Sequence, residues 1–294
     1  MSKHTIFIGS GVALVTPFCE NGVNFDALGS LIDFQIANRT DALIICGTTG
    51  EASTMPDEEH IAAIQYAVDR VAGRVPVIAG AGSNDTAHGA KLAGKIAKTG
   101  VDGLLLVTPY YNKATQRGLI THYNAFAAAA DVPIILYNVP SRTGMTIEVN
   151  TMKELSKNEQ FVGMKDATGN ISYTAQLAAA CPDIDIYSGN DDMIVPVLSL
   201  GGKGVISVLA NVMPAETHDM CEKFMTGDTE GACKLQLELL DLVKALFCEV
   251  NPIPAKTALN LMGYNAGSLR LPLCEMAEDN LSTLKQAMVK HGLL

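Results

Sequence analysis

The chain has 294 residues, of which 48% are hydrophobic and 18% are charged, and its formal net charge is −10. A chain of this composition can bury a sizeable core, so we expect a folded protein and not a disordered one. The acidity, with a sequence pI of about 5.0, and the lack of a basic stretch exclude nucleic acid as an expected partner.

The cysteine content and the hydropathy pattern indicate the compartment. The seven cysteines are odd in number and include no CxxC pair, which is typical of reduced thiols and not of a disulfide framework. No run approaches the roughly 18 apolar residues of a membrane helix, and the start lacks the apolar core of a signal peptide. We therefore expect a cytoplasmic protein without a membrane partner.

A pattern of short apolar runs, each followed by a helical stretch, recurs about every 20–35 residues. Runs that are apolar almost throughout are typical of strands buried on both faces of a parallel sheet. Eight such units predict an α/β fold, a (β/α)8 barrel of the TIM type, with helices that include Asp57–Val71 and Asp85–Thr99. The runs are Val12–Thr16, Ala42–Cys46, Val75–Ala79, Gly103–Val107, Val132–Tyr137, Phe161–Lys165, Ile184–Ser188 and Gly204–Val208.

The last part of the chain has a different pattern. From about Thr229 the strand signal stops, and Gly231–Val250 predicts one amphipathic helix. Pro254–Met262 and Cys274–His291 predict further helices. We therefore expect a catalytic barrel over residues 1–228 and a C-terminal helical extension over residues 229–294, which either covers the barrel or mediates assembly.

Lys165 is the most informative polar residue, because it closes the run that begins at Phe161. In a barrel of this kind the active site lies at the carboxyl ends of the strands. Burial there would lower the pKa of the lysine from about 10.4 to about 7–8 and leave a neutral amine that can attack a carbonyl. Position alone is somewhat more typical of a strand-end lysine that reaches solvent.

Candidate partners of Lys165 end the neighbouring runs. Tyr137 has the same position one strand earlier, so its phenol could relay protons, although it could equally be a core tyrosine. Thr48 and Thr49, between two glycines, could hold a carboxylate or form a helix-capping turn. Arg142 could clamp a second carboxylate or lie solvated on the surface.

Other chemistries have weaker signals. The six histidines show no metal-ligand spacing, and the glycine-rich segment after the third run is neither a P-loop nor a dinucleotide-binding fingerprint. Asp191 and Asp192 are interpreted as a loop or helix-start feature, and Cys46 as a small buried residue. We expect no metal and no organic cofactor.

At these residues the chain resembles the dihydrodipicolinate synthase / N-acetylneuraminate lyase family of pyruvate-dependent class I aldolases, over essentially its whole length. The double threonine and Arg142 favour the synthase branch over the lyase branch. The matching segments are Gly47-Thr48-Thr49-Gly50-Glu51, Pro109-Tyr110-Tyr111-Asn112-Lys113, Tyr137-Asn138-Val139-Pro140, Lys165, and Asn251-Pro252-Ile253-Pro254 with Lys256.

The resemblance implies a role for each site residue. Lys165 forms a Schiff base with pyruvate, and Arg142 binds the carboxylate of L-aspartate 4-semialdehyde. Tyr137, Thr48 and Tyr111 form a proton relay, with Tyr111 reaching from a neighbouring subunit of a homotetramer. Thr48 and Thr49 hold the pyruvate carboxylate, and the backbones of Gly189 and Ile206 line the pocket.

The activity of the chain and its regulation by L-lysine stay open at this point. The chain could be another pyruvate aldolase, acting on N-acetylneuraminate or a 2-keto-3-deoxy sugar acid, or a non-catalytic barrel that binds carboxylates. The resemblance also implies an L-lysine site, which His60, Asn84 and Tyr110 match. Asp57 and His88 replace the histidine and glutamate frequent in lysine-inhibited members, so we predict weak or absent inhibition by lysine.

Overall fold

The computed structural model, which describes residues 3–294, contains a closed barrel of eight parallel strands in the order β1-β10-β9-β8-β7-β6-β5-β4. The two remaining strands, β2 and β3, form a small antiparallel hairpin after β1. The predicted (β/α)8 barrel with C-terminal helices is confirmed. The strands are β1 (Gly9–Ala13), β2 (Phe18–Cys19), β3 (Gly22–Val23), β4 (Ala42–Ile45), β5 (Val77–Gly80), β6 (Gly103–Val107), β7 (Ile134–Asn138), β8 (Phe161–Asp166), β9 (Asp185–Ser188) and β10 (Gly204–Ser207).

The first strand is the one whose position differs most from the prediction. The apolar run Val12–Thr16 predicted a strand that begins three residues later than β1, which begins at Gly9. Small residues open β1 because the space beside them is filled. A Cβ atom at Gly11 would lie 2.8 Å from the ring of Phe7, and one at Gly9 would lie 2.1 Å from Asp41 Oδ2. Hydrophobicity could not signal such positions.

Side chains fill the barrel interior, as expected for this architecture. One buried cluster joins inward-facing residues of successive strands with Phe7. The Phe7 ring stacks on the Tyr187 ring with centroids 4.4 Å apart, and the Tyr187 hydroxyl donates to the Phe7 carbonyl at 2.7 Å. Phe7 precedes β1, so this pair closes the amino-terminal end of the barrel and leaves the opposite end for the site.

Helices surround the barrel and continue past its last strand. Asp57–Val71 was predicted with the observed bounds, and Asp85–Thr99 is observed as α3 followed by a 3-10 turn at Ala97–Thr99. The helices are α1 (Phe25–Ala37), α2 (Asp57–Val71), α3 (Thr86–Ile96), α4 (Gln116–Ala129), α5 (Pro140–Thr143), α6 (Val149–Leu155), α7 (Ile171–Ala180), α8 (Ile194–Ser199), α9 (Pro214–Met225), α10 (Thr229–Glu238), α11 (Leu240–Leu246), α12 (Ile253–Leu261) and α13 (Glu278–Lys290).

The predicted single helix over Gly231–Val250 is wrong, because the helix is interrupted at Leu239, between α10 and α11, and α11 ends at Leu246. The side chain of Gln236, three residues before this interruption, has two partners outside the helix. It accepts from the Val195 N–H at 3.1 Å and donates to the Asp191 carbonyl at 2.8 Å, which holds α10 against the loop after β9. The next helix, α11, packs against the turns that follow β9 and β10, an arrangement that helical periodicity does not contain.

The extension shares one hydrophobic core with the helices around the barrel. Buried residues of α11, α12 and α13, among them Leu246, Leu259 and Met288, belong to the cluster that includes the outward-facing strand residues. The final helix begins at Glu278 and not at the predicted Cys274. The boundary at residues 228 and 229 stays a prediction. Within residues 3–294 no helix has the length and apolarity that crossing a membrane requires.

Candidate active site

Lys165 and Tyr137 lie side by side at the carboxyl ends of β8 and β7, where the strand register pairs them directly. The Lys165 ammonium nitrogen is 4.4 Å from the centroid of the Tyr137 ring. Both side chains are buried, with Lys165 only 5% exposed. The predicted contact between these two residues is confirmed, and the alternative of a solvent-exposed lysine is excluded.

Burial lowers the pKa of Lys165 to about 8. The positive charge of Arg142 acts in the same direction, whereas the carboxylate of Asp191 raises the pKa and offsets part of the effect. A substantial fraction of the amine is therefore neutral near physiological pH, which is the form that adds to a carbonyl. This agrees with the range expected from the position of the lysine.

The phenol of Tyr137 has a raised pKa, mainly because of burial, while Arg142 and a hydrogen bond with Thr48 oppose the rise. The hydroxyl therefore stays protonated and can donate. Thr48 thus lies next to the tyrosine that contacts Lys165. A hydroxyl beside a phenol beside an amine is an arrangement that can pass a proton toward a carbonyl-derived oxygen.

Two cavities adjoin this group. One, of about 310 Å³, contains Lys165 together with Thr49 and Gly189. The other, of about 440 Å³, contains Thr48 and extends along α2 and α3. Tyr137 and Arg142 line both cavities. Five predicted residues, Lys165 included, therefore line the smaller cavity, and Thr48 lines the adjoining one.

The C-terminal extension contributes to the same cavity. Asn251 Nδ2 donates to Thr49 Oγ1 at 2.9 Å, and Arg142 Nη2 donates to the Asn251 carbonyl at 3.0 Å. Val243, Lys244 and Phe247 of α11 and the turn after it also line it. Sequence reasoning noted Asn251 only as part of a motif. The available signal was a polar residue before proline between two apolar helices.

Asp191 is a second residue whose place the sequence did not reveal. It begins a 3-10 turn, as predicted, but it is also buried in the cavity wall next to Lys165. Its Oδ2 accepts from the backbone N–H groups of Val208 and Leu209 at 3.0 and 2.9 Å. Burial raises its pKa, and these donors and the Lys165 charge oppose the rise. Its position directly after β9 was the signal available.

Three other predicted residues occupy different surroundings. Gly189 lies at the cavity, where a Cβ atom would be 2.6 Å from the Ala167 Cβ. Ile206 is buried in β10 among the interior cluster and is not part of the wall of either cavity. Tyr111 is 94% exposed, with a positive φ of 70°, and does not line the cavities of its own subunit.

The residues matched to a lysine site surround the larger cavity. His60 and Tyr110 line it, together with Asp57 and His88. Buried His60 has a lowered pKa and is hydrogen-bonded through Nε2 to the Gly80 carbonyl at 2.8 Å. Asn84 holds the adjacent loop by donating to the Tyr110 carbonyl at 3.1 Å. His88 Nε2 is 3.0 Å from Asp57 Oδ1, so the two deviating residues contact each other.

The comparisons with known proteins agree over nearly the whole chain. Residues 6–291 match the model of the dihydrodipicolinate synthetase family. A protein from Caldicellulosiruptor saccharolyticus named 4-hydroxy-tetrahydrodipicolinate synthase is 59% identical over 98% of both chains.

Two solved structures have the same fold along their entire length. A dihydrodipicolinate synthase from Cyanidioschyzon merolae with lysine bound is 41% identical, with a TM-score of 0.95, and covers 99% of this chain and 100% of its own. The chloride-inhibited enzyme from Acinetobacter baumannii complexed with pyruvate is 40% identical, with the same TM-score of 0.95 and the same coverage of 99% and 100%. The chain therefore belongs to the dihydrodipicolinate synthetase family of lyases.

Proposed function

We propose that the chain condenses pyruvate with L-aspartate 4-semialdehyde to give 4-hydroxy-tetrahydrodipicolinate, a step of lysine and diaminopimelate biosynthesis, through an imine on Lys165. The activity is the one that the relatives' names state. The observation that carries the mechanism is the buried amine of Lys165, whose pKa is lowered to about 8 and which lies beside Tyr137 in a cavity that Thr49 and Arg142 also line.

The first half of the reaction activates pyruvate. The neutral Lys165 amine adds to the ketone carbon, and loss of water gives the imine. The imine nitrogen accepts electron density when the methyl carbon of pyruvate loses a proton to the relay of Tyr137 and Thr48, which leaves an enamine. Tyr137, which is protonated before this step, donates its proton to the departing oxygen and is reprotonated through Thr48. The imine formed on Lys165 is the electron sink in this scheme.

The second half forms the carbon–carbon bond. The enamine carbon attacks the aldehyde of the semialdehyde, and the new alkoxide takes a proton from the same relay. The amino group of the semialdehyde then attacks the imine carbon, displaces the Lys165 nitrogen and closes the ring. The product leaves, and the free amine is restored.

The two substrates are anions, and the protein carries a net charge of −10, so attraction must be local. In our proposal Thr48 and Thr49 hold the pyruvate carboxylate through hydroxyl and backbone N–H groups. Arg142 clamps the carboxylate of the semialdehyde. Asn251 contacts both groups: its side-chain nitrogen donates to Thr49, and its backbone carbonyl accepts from Arg142. These two bonds support the proposal that the threonine pair and Arg142 bind their carboxylates in the same cavity.

We propose that Tyr111 of each subunit acts in the active site of a neighbouring subunit. It is 94% exposed and, unlike its neighbour Tyr110, it does not line the cavities of its own chain. We propose that it completes the relay of a second copy, which requires at least a dimer, and that the assembly is a homotetramer. Size-exclusion chromatography with light scattering tests the stoichiometry, and a monomer that retains full activity would contradict it.

Borohydride trapping tests the central step. Incubation with pyruvate and sodium borohydride should add the reduced pyruvate to the protein, and peptide mapping should place the mass on Lys165. Lys165→Ala should abolish the adduct. The matched control is Lys203→Ala, which changes a lysine in the turn before β10 and should leave trapping intact. An adduct that survives Lys165→Ala would overturn the mechanism.

We also propose weak or absent inhibition by L-lysine. The pairing of His88 with Asp57 supports this, because the carboxylate at the larger cavity already has a partner of its own. A glutamate at position 88 would add the counter-charge that a lysine ammonium requires. His88→Glu should therefore increase inhibition by L-lysine, whereas half-inhibition of the unmodified protein at sub-millimolar lysine would contradict the proposal.

A further inference from the structure

Lys244 places a positive charge at the wall of the Lys165 cavity. It lies in the last turn of α11, and it lines that cavity together with Val243 and Phe247. Lys244 is exposed to solvent, whereas Lys165 is only 5% exposed. The charge of Lys244 therefore lies at the mouth of the cavity, where a substrate arrives, and not at the buried amine on which the imine forms.

This charge has no carboxylate partner in the part of the chain that the structure describes. No ion pair within residues 3–294 includes Lys244, whereas two other exposed lysines, Lys234 and Lys290, pair with Glu238 and Asp241. A carboxylate beside an ammonium group cancels most of the field that the ammonium group produces at a distance. The ammonium group of Lys244 keeps its full field for an anion in the cavity.

The other charged residues of the cavity lining do not favour an anion on their own. Five residues of charged types line the cavity, namely Arg142, Lys165, Asp191, Asp192 and Lys244. When the Lys165 amine is neutral and able to react, Arg142 and Lys244 offset the two aspartates. Without Lys244 the two carboxylates would outnumber the one remaining cation, and the cavity would repel the carboxylate of a substrate.

The rest of the protein does not supply the missing attraction. The chain carries a net charge of −10, so its overall field repels small anions. A positive charge at the mouth acts against that field within about one Debye length, which is about 10 Å at 0.1 M ionic strength. Arg142 already donates to the Asn251 carbonyl at 3.0 Å, so Lys244 is the exposed cation of the lining without a bonding partner among residues 3–294.

We infer that Lys244 is a further specificity-determining residue, whose ammonium group attracts the carboxylates of pyruvate and of the semialdehyde into the cavity. The inference rests on the proposed function, which supplies the two anions. Attraction at the mouth favours encounter and binding, and it does not change the bonds that form on Lys165. Lys244 should therefore raise kcat/KM for both substrates and leave kcat nearly unchanged.

The test measures kcat/KM for each substrate at ionic strengths of about 10 mM and about 1 M, between which the Debye length falls from about 30 Å to about 3 Å. Lys244→Met removes the charge and keeps an unbranched side chain, and Lys244→Arg keeps the charge. Lys234→Met is the matched control, because it removes one positive charge at an exposed residue that lines neither cavity. The use of two different salts separates screening from competition by a bound salt anion.

At the low ionic strength Lys244→Met should reduce kcat/KM for both substrates by about threefold to tenfold, since a unit charge near the path of an anion is lost. The reduction should nearly vanish at about 1 M, because salt screens an exposed charge. The change in kcat should stay below about twofold, since the residue does not act in the chemical steps. Lys244→Arg should retain the kcat/KM of the unmodified protein, and Lys234→Met should have little effect.

The inference is overturned if Lys244→Met reduces kcat/KM by the same factor at both ionic strengths, which would make Lys244 a packing residue of the cavity wall. An equal reduction in Lys234→Met would assign the effect to the net charge of the whole protein. No reduction at the low ionic strength would exclude any role of Lys244 in attracting the substrates. Failure of the proposed function is a separate result, namely that the unmodified protein does not consume the semialdehyde with pyruvate at all.

Discussion

The carboxylate of Glu51 and the ammonium of Lys256 form an ion pair of 2.7 Å in which both side chains are only 1% exposed. The Lys256 nitrogen also lies 4.3 Å from the centroid of the Phe18 ring, and the backbone N–H of Arg270 donates to Glu51 Oε2 at 3.0 Å. Glu51 is two residues from Thr49 along the chain. The pair therefore anchors α12 of the C-terminal extension to the loop that carries the threonine pair.

We expect Lys256→Met to destabilise the protein strongly. It leaves the Glu51 carboxylate buried without its counter-charge, which lowers the free energy of unfolding by about 3–5 kcal/mol. Lys290→Met is the matched control, because Lys290 pairs with Asp241 at 2.6 Å on the surface and such pairs contribute about 0–1 kcal/mol. Denaturant unfolding measures both.

The double change Glu51→Gln with Lys256→Met extends this test. Removal of both charges should recover part of the stability, because the buried carboxylate is then gone. If the pair does not stabilise this contact, the two substitutions should act independently. The free energy of unfolding of the double variant would then fall below that of Lys256→Met by the full effect of Glu51→Gln alone.

Imine formation should follow the titration of Lys165. Only the neutral amine reacts, and burial lowers its pKa to about 8. The protonated fraction therefore grows as the pH falls below about 8, and the trapping rate should drop about tenfold for each pH unit well below that value and level off above it. Timed borohydride trapping from about pH 6 to about pH 10 measures this, and a rate still rising steeply near pH 10 would contradict it.

Tyr137→Phe should separate imine formation from turnover. The change removes the hydroxyl that donates and accepts the proton but keeps the ring that packs against Lys165. We expect turnover to slow by about 100-fold or more, in the range for lost general acid–base catalysis, while pyruvate can still be trapped. Tyr123→Phe, a buried tyrosine outside both cavities, is the control. Turnover within a few-fold of the unmodified protein would remove Tyr137 from the relay.

Arg142→Ala should affect one substrate more than the other. The guanidinium is the proposed clamp for the carboxylate of the semialdehyde, so the KM for that substrate should rise by a larger factor than the KM for pyruvate. Arg117→Ala, on the exposed start of α4, should change neither. Steady-state kinetics with each substrate varied in turn measures the effect. Equal factors for both substrates would exclude the specific role of Arg142.

Mixing two inactive variants should restore activity if Tyr111 serves a neighbouring subunit. Lys165→Ala retains Tyr111, and Tyr111→Phe retains Lys165, so subunit exchange creates some sites with both residues intact. The mixed sample should exceed the summed activity of its parents after exchange and not before it. Mass spectrometry of the assemblies verifies exchange, and verified exchange without a gain in activity would place Tyr111 in its own site or outside catalysis.

Much of the architecture followed from local patterns. The bounds of β6 and α2 were predicted as observed, because apolar periodicity and a helix start after proline are properties of a few consecutive residues. The contact between Lys165 and Tyr137 also followed, since equivalent positions on consecutive barrel strands must adjoin. By contrast, the predicted bounds of the first strand and the predicted single helix over Gly231–Val250 were wrong. The reasons are contacts between segments distant in the chain, namely the packing of Gly9 against Asp41 in one case and the bonds of Gln236 to Val195 and Asp191 in the other.

The sequence by itself determined the barrel, the strand-end lysine and the motifs of the family, because each depends on residue type and spacing along the chain. Only the tertiary structure decided that Lys165 is buried, that Asp191 lies beside it, and that Asn251 joins Thr49 to Arg142. The physical reason is that burial and hydrogen-bond partnership are relations between segments far apart in the chain. Asn251 lies 202 residues from the threonine that it contacts, and no local pattern encodes that distance.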